Sequence, residues 1–281
     1  GLGYISAYLN KNGIETKIID GLRDELSNKE ILEIVKEEKA DAVGIGCLTA
    51  EYNVVVDLSN LLKANGIKVI LGGIHPTVFP YQTLVDSKAD YVICGEGEIA
   101  FTKLALNNFE NNAIKGVYSL KDLKDGGQDT EFAEFIENLD ELPYIWDKIN
   151  LEKYKIKPSG QIYKQSPIGY IMTSRGCAYS CTFCASPYLY KGKVRMRSVS
   201  NVIGEIKELI EKHKVKEIKF LDDNLALKKE YLLEFCDEMI RNNIKIPWAC
   251  STGLRAANVN EEIVGALKKA GCYNFNIGIE S

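Results

Sequence analysis

Three of the eight cysteines of this 281-residue chain stand within eight positions of one another. They are Cys177, Cys181 and Cys184, in the stretch "TSRGCAYSCTFCAS" that follows the apolar run "IGYIM". The spacing is C-x3-C-x2-C, and a deprotonated cysteine is a metal ligand. A structural zinc centre needs a fourth ligand, and the two histidines, His75 and His213, are both distant in sequence. An electron-transfer ferredoxin likewise needs a fourth cysteine, because its irons are all held by protein. Three thiolates around a four-iron, four-sulfur cluster leave one iron open. An open iron can bind and reduce a substrate or a cofactor.

The other five cysteines, Cys47, Cys94, Cys236, Cys250 and Cys272, stand singly in apolar segments. That reads as buried free thiols in a reducing compartment, the cytoplasm, and not as a disulfide framework. A net charge of -4 with no Lys/Arg-rich block argues against nucleic acid or a membrane surface as the main partner. No apolar run approaches the roughly 18 residues that a membrane helix needs.

The elements that must carry the cysteines follow from periodicity. Through the first hundred residues, "ETKIID", "DAVGIGC", "IKVILGG" and "ADYVIC" read as buried parallel strands separated by helices. One helix, "NKEILEIVKEEKA", sets Ile31, Ile34, Val35 and the stem of Lys39 on one face. This predicts an α/β, Rossmann-like (flavodoxin-like) domain over residues 1–115, with ligands beyond the carboxyl ends of its strands. The chain opens on a helix, "GLGYISAYLNKNG", so the first strand of such a sheet is missing and the natural protein is expected to begin before residue 1. Residues 116–165 read as a linker, with a hairpin turning at Gly126 and Gly127 and with Trp146 as a packing anchor. Over residues 166–281 the strands "IGYIMTS", "VKEIKFLDDN", "IPWACSTGL" and "CYNFNIGIES" alternate with helices, one of which lines up Val202, Ile206, Leu209, Ile210 and His213. That is the pattern of a (β/α) barrel, whose chemistry sits at strand carboxyl ends. Four strands cannot close a barrel, so the sequence is expected to continue past residue 281.

In this strand-to-loop context the three-cysteine motif resembles that of the radical S-adenosylmethionine (SAM) enzymes. "GGIHPTVFP", "CGEGE" and "LDELP" are similar to the large subfamily that carries a cobalamin-binding domain, so the resemblance spans essentially the whole chain. It implies a 4Fe-4S cluster on Cys177, Cys181 and Cys184, whose open iron chelates SAM and whose electron yields a 5'-deoxyadenosyl radical. The cofactor carries the hard chemistry, and the protein orients and shelters it. The resemblance places Phe183 near the adenine. The SAM amino group falls to Asp222 or Asp223, where the family often has Gly-Gly-Glu. It sets Ser251 and Arg255 near the carboxylate and sulfonium, and Glu280 on the ribose hydroxyls, Arg255 serving equally as one half of a surface ion pair.

For cobalamin, the resemblance points to the loops of Gly72, Gly73, His75 and Thr77 and of Gly95, Glu96 and Gly97, with Thr49 and Ala50 where the corrin or nucleotide tail would pass. Glu96 and Glu98 serve equally as N-cap or first-turn carboxylates, and His75 is expected as a turn or tail contact in preference to a lower ligand of the cobalt. The expected activity is methyl transfer to an unactivated carbon or phosphorus centre of a small-molecule or peptide substrate. An electron donor such as flavodoxin or ferredoxin is implied. The alternatives are a cyclase or ring-contraction enzyme with the same cofactors, or a non-catalytic cofactor sensor.

Overall fold

Alternating apolar strands and amphipathic helices organise the computed structural model, which describes residues 1–125, 130–154 and 162–278. It divides into two units, Gly1–Ile136 and Glu137–Ser281. In the first unit α1 (Leu2–Lys11) and α2 (Asn28–Glu37) precede β1 (Ala42–Gly46), α3 (Tyr52–Ala64) and β2 (Lys68–Gly72). Next come α4 (Ile74–Val78), α5 (Pro80–Ser87), β3 (Tyr91–Ile93), α6 (Gly97–Leu106) and β4 (Val117–Tyr118). The sheet order is β1-β2-β3-β4, with β1, β2 and β3 parallel and β4 antiparallel to β3.

The run Val69-Ile70-Leu71 explains why β2 is central: all three side chains are buried, which requires cover on both faces. Val69 and Leu71 pack with Leu58 and Leu62 of α3 and Leu84 of α5, while Ile70 joins Ile93, Ala100 and Leu104 on the other side. Helices on both faces make this the doubly wound, Rossmann-like arrangement expected for the first domain.

Two local expectations change. Residues 15–20 form no strand; among the described residues β1 is hydrogen-bonded to β2 alone, and Ile19 packs among core side chains instead of joining a ladder. Lys39 lies beyond the end of α2, exposed and at φ 51, so Leu32 and Val35 carry the buried face. The segment after Lys115 opens with β4 on the sheet edge, and the turn expected at Gly126 and Gly127 lies outside the described residues. The chain still returns past β4, because the Tyr118 hydroxyl accepts from Glu131 N at 2.8 Å and donates to Glu131 O at 3.1 Å.

The second unit contains β5 (Ile168–Ile171), β6 (Ser174–Arg175), α7 (Ser186–Tyr190), β7 (Arg195–Met196) and α8 (Val199–Glu211). It continues with β8 (Glu217–Phe220), α9 (Lys229–Arg241), β9 (Trp248–Arg255), α10 (Glu261–Lys269) and β10 (Cys272–Gly278). Strands β10-β9-β8-β5 form a parallel sheet in that order, the open (β/α) half-barrel expected from the sequence. Phe220, Phe235 and Trp248 lock β8, α9 and β9 together edge to face at centroid distances of 5.3 to 5.6 Å. His213 falls just past the end of α8 and faces Asp147.

The boundary between the two units falls inside the segment read as a linker, residues 116–165. Up to Ile136 they belong to the first unit, and from Glu137 to the second. Trp146 is a packing anchor, as its sequence context suggests. Its indole N–H donates to Glu205 Oε1 at 2.6 Å, and Glu205 also pairs with the Arg197 guanidinium. Both charged side chains are almost completely buried.

Candidate functional site

In the first unit, the loops that follow β1, β2 and β3 leave the same edge of the sheet, because those strands are parallel. Thr49 and Ala50 lie after β1, Gly72, Gly73, His75 and Thr77 at and after β2, and Gly95, Glu96 and Gly97 after β3. Gly73 sits at φ +102, and a Cβ there would stand 2.9 Å from the Cys47 carbonyl oxygen; only glycine lets these loops come this close.

Thr77 is buried and its hydroxyl is already spent. It donates to Gly73 O at 2.7 Å and accepts from Gly95 N at 3.0 Å, tying the second loop to the third. A ligand contact through that hydroxyl is therefore replaced by a structural one. Glu96 precedes α6 without a side-chain cap, and Glu98 lies buried in its first turn. Around this edge Leu48, Ile74 and Phe79 are 49%, 40% and 51% exposed. Apolar side chains left open at the ligand edge of a doubly wound sheet suit a broad, flat, largely apolar ligand, and a corrin ring has that character.

His75 stacks between Tyr52 and Phe79, at 4.0 and 5.2 Å between ring centroids, with Nδ1 3.3 Å from Thr49 Oγ1. Burial lowers its pKa, while the Asp86 carboxylate acts in the opposite sense. The folded state therefore resists protonation more than the unfolded chain does. Stability is retained above the ordinary histidine range, about 6.5, and is lost as pH falls below it. Thermal melts should decline more steeply between about pH 6.5 and 5 in the wild type than in His75→Phe. Equal slopes would remove His75 as the cause.

In the second unit β5 turns through Thr173 into β6, which pairs antiparallel with β7, and the cysteine loop leaves from Gly176. Gly176 is at φ +92, and a Cβ there would meet Lys193 O at 2.1 Å. Cys177 and Cys181 are half-buried and Cys184 is exposed. Cys184 N donates to Cys181 O at 3.0 Å, and Ser186 N points at Cys184 Sγ from 3.5 Å.

The five remaining thiols differ. Burial pushes Cys47 up to about 11 and Cys94, Cys236 and Cys272 up to about 12, and raises Cys250 as well. They stay protonated and make poor ligands. The loop trio is the set of cysteines whose exposure and backbone geometry suit an iron–sulfur cluster, with an N–H donor at one sulfur as such clusters use.

The remaining predicted residues divide by position. Asp222, at the end of β8, is fully buried and accepts hydrogen bonds from Thr173 and Ser174, so it is turned away from an open ligand site. Burial raises its pKa, and the hydrogen bonds from Ser174 and Thr173 oppose that rise. Asp223 is exposed and accepts from Ser186 Oγ at 2.6 Å. Of the two, only Asp223 has a side chain a ligand can reach.

Ser251 and Arg255 both lie on β9. Asn276 Nδ2 donates to the Ser251 carbonyl at 2.7 Å. The Arg255 guanidinium stacks on Tyr179, inside the cysteine loop, at 4.0 Å. Phe183 is 77% exposed, and Glu280 lies outside the described residues. Sequence reasoning passed over Tyr179 and Ser186, which are ordinary loop residues until the fold sets them against β9 and β8.

Residues 1–105 match the B12 binding domain family, and residues 171–281 the radical SAM superfamily. An uncharacterized methyltransferase of Pyrococcus horikoshii is 32% identical over 286 residues, covering 100% of this chain and 60% of that protein. The cytidylyl-2-hydroxyethylphosphonate methyltransferase of Streptomyces wedmorensis is 30% identical over 329 residues, covering 100% of this chain and 61% of that protein. The chain thus spans about three fifths of the length of these curated relatives. Among solved structures, the radical SAM methyltransferase TsrM from Kitasatospora setae, with tryptophan and a SAM analogue bound, aligns with a TM-score of 0.76 at 16% identity. That alignment covers 99% of this chain and 56% of TsrM. With a B12-binding domain followed by a radical SAM half-barrel bearing the three-cysteine loop, the chain belongs to the cobalamin-binding radical SAM enzymes, whose cofactors are a 4Fe-4S cluster, SAM and cobalamin.

Proposed function

We propose that the protein is a cobalamin-dependent radical SAM methyltransferase acting on an unactivated carbon or phosphorus centre of a small-molecule or peptide substrate. One observation carries this reading: a single chain joins an apolar, glycine-lined loop edge in its B12-binding domain to a loop of three cysteines, none of them buried, at barrel-strand ends. The named methyltransferases among its relatives support it.

When bound, the cofactors supply a 5'-deoxyadenosyl radical and a transferable methyl group. The chain's part is to hold and orient them. Cys177, Cys181 and Cys184 ligate the cluster and leave one iron free. Asp223, the reachable carboxylate beside the loop, accepts from the SAM amino group. Arg255, already over the loop at Tyr179, serves the SAM carboxylate, with Ser251 alongside and Phe183 against the adenine. Glu280 is assigned to the ribose. In the first unit Thr49, Ala50, Gly72, Gly73, Gly95, Glu96 and Gly97 line the corrin and its tail, with His75 as a packed wall residue. A flavodoxin or ferredoxin in a reducing cytoplasm is the assigned electron source. No helix among the described residues is long and apolar enough to cross a membrane.

The test is anaerobic reconstitution of the full-length protein. About one cobalamin per chain, 5'-deoxyadenosine on reduction, and a product heavier by one methylene are expected. Absence of cobalamin binding, or a product oxidised or rearranged with no added carbon, overturns methyl transfer.

A further inference from the structure

The two aspartates at the end of β8 hold the two ends of the cysteine loop. Asp222 grips the entry. Its carboxylate accepts from Thr173 N at 3.0 and 3.1 Å, Thr173 Oγ1 at 2.6 Å and Ser174 Oγ at 2.6 Å. Its main-chain carbonyl accepts from Thr252 Oγ1, which ties the same residue to β9. A buried carboxyl group is costly unless its oxygens are satisfied. These three donors, Thr173 N–H, the Thr173 hydroxyl and the Ser174 hydroxyl, therefore fix where β5 ends and β6 begins, just ahead of Cys177.

Asp223 grips the exit. Its Oδ2 accepts from Ser186 Oγ at 2.6 Å, and the backbone N–H of the same buried serine points at Cys184 Sγ from 3.5 Å. Between the two ends, Tyr179 is held under Arg255 at 4.0 Å and donates to Asn258 Oδ1 at 3.3 Å. The loop is thus fastened before its first cysteine, between its first and second, and behind its third.

We propose that Asp222 and Ser186 are positioning residues for the cluster loop, with Asp223 linking the SAM site to the third cysteine through Ser186. This rests on the assignment of the cluster to the three cysteines and of Asp223 to SAM. Ser186 acts on the cluster in two ways. Its N–H withdraws charge from the Cys184 sulfur, which tunes cluster potential. Its hydroxyl keeps that N–H aimed by anchoring on Asp223. Partners of this kind, one bond removed from a ligand, typically change metal retention by about 10–100-fold.

The experiment uses anaerobically reconstituted full-length protein and three readouts: release of iron to a chelator, cluster midpoint potential, and the change in the reduced cluster's EPR spectrum on adding SAM. Asp222→Asn should release iron about tenfold faster than wild type or more. Ser186→Ala should keep near-normal iron content and an unchanged apo-protein melt, yet shift the potential and weaken the SAM-induced EPR change. Ser186→Thr, which retains the hydroxyl, should restore both. Wild-type values from Asp222→Asn and Ser186→Ala overturn the proposal while leaving the cluster assignment intact. If the wild type holds no cluster, the assignment and the proposal fall together. If Ser186→Ala lowers the apo melt as much as it alters the cluster, the residue is merely structural and its part of the proposal fails.

Discussion

Cys181→Ala should abolish the cluster and the radical chemistry together. After reconstitution its iron content should fall to that of a chain without a cluster, and the broad iron–sulfur absorbance should vanish. Formation of 5'-deoxyadenosine should drop to background, a loss of at least about 10⁴-fold given what such enzymes gain over the uncatalysed reaction. The control is Cys236→Ala. That thiol lies buried on α9, with burial pushing it up to about 12, and its removal should leave iron and turnover unchanged at the cost of some stability. A Cys181→Ala protein that keeps its iron and still cleaves SAM would disprove the assignment of the loop.

The largest effect on stability is expected at Glu205. It lies at zero exposure, accepting from Trp146 and paired with Arg197, whose guanidinium also reaches Met172 O and Asn201. Glu205→Ala leaves the Arg197 charge buried without its counter-ion, a cost of about 3–5 kcal/mol. At about 2–4 °C per kcal/mol for a chain of this size, the melting temperature should fall by roughly 10 °C. The double variant Glu205→Leu with Arg197→Met should recover most of that loss, because well-packed apolar residues replace a buried pair at little cost. Removing the exposed pair Lys17–Glu38 should change the melt by no more than about 1 kcal/mol. A single-variant shift no larger than that surface control would mean the Glu205 site relaxes or takes in water.

What was readable from sequence depended on whether a residue's type alone carries information. The run at Val69, Ile70 and Leu71 announces a strand covered on both faces, because three successive apolar residues cannot all be solvated in an alternating sheet. The cysteine spacing announces its chemistry for the same reason. The aspartates show the limit. Asp222 and Asp223 are identical in type and adjacent in sequence, yet one is sealed under Thr173 and the other is open to solvent. Both lie in the loop just past β8, where no periodicity applies, and which one faces inward is set by the donors that Thr173 and Ser174 present after β5.

Thr77 likewise looks like a ligand donor until its two loop partners are known. Residues 15–20 have strand composition without a ladder, since propensity cannot supply a partner. The β6–β7 ribbon, two residues on each side, is too short to leave any periodic trace.

That ribbon has a thermodynamic consequence. Ser174 pairs with Met196 and Arg175 with Arg195, so the segment holding all three cysteines is a closed loop before any metal arrives. Closing a flexible loop of that length costs roughly 2–3 kcal/mol of chain entropy on a logarithmic scale. Here that cost is met when the protein folds, and metal uptake is spared it. Ordering of the apo-loop should thus precede cluster insertion, with the ribbon acting as an entropic clasp for cofactor loading.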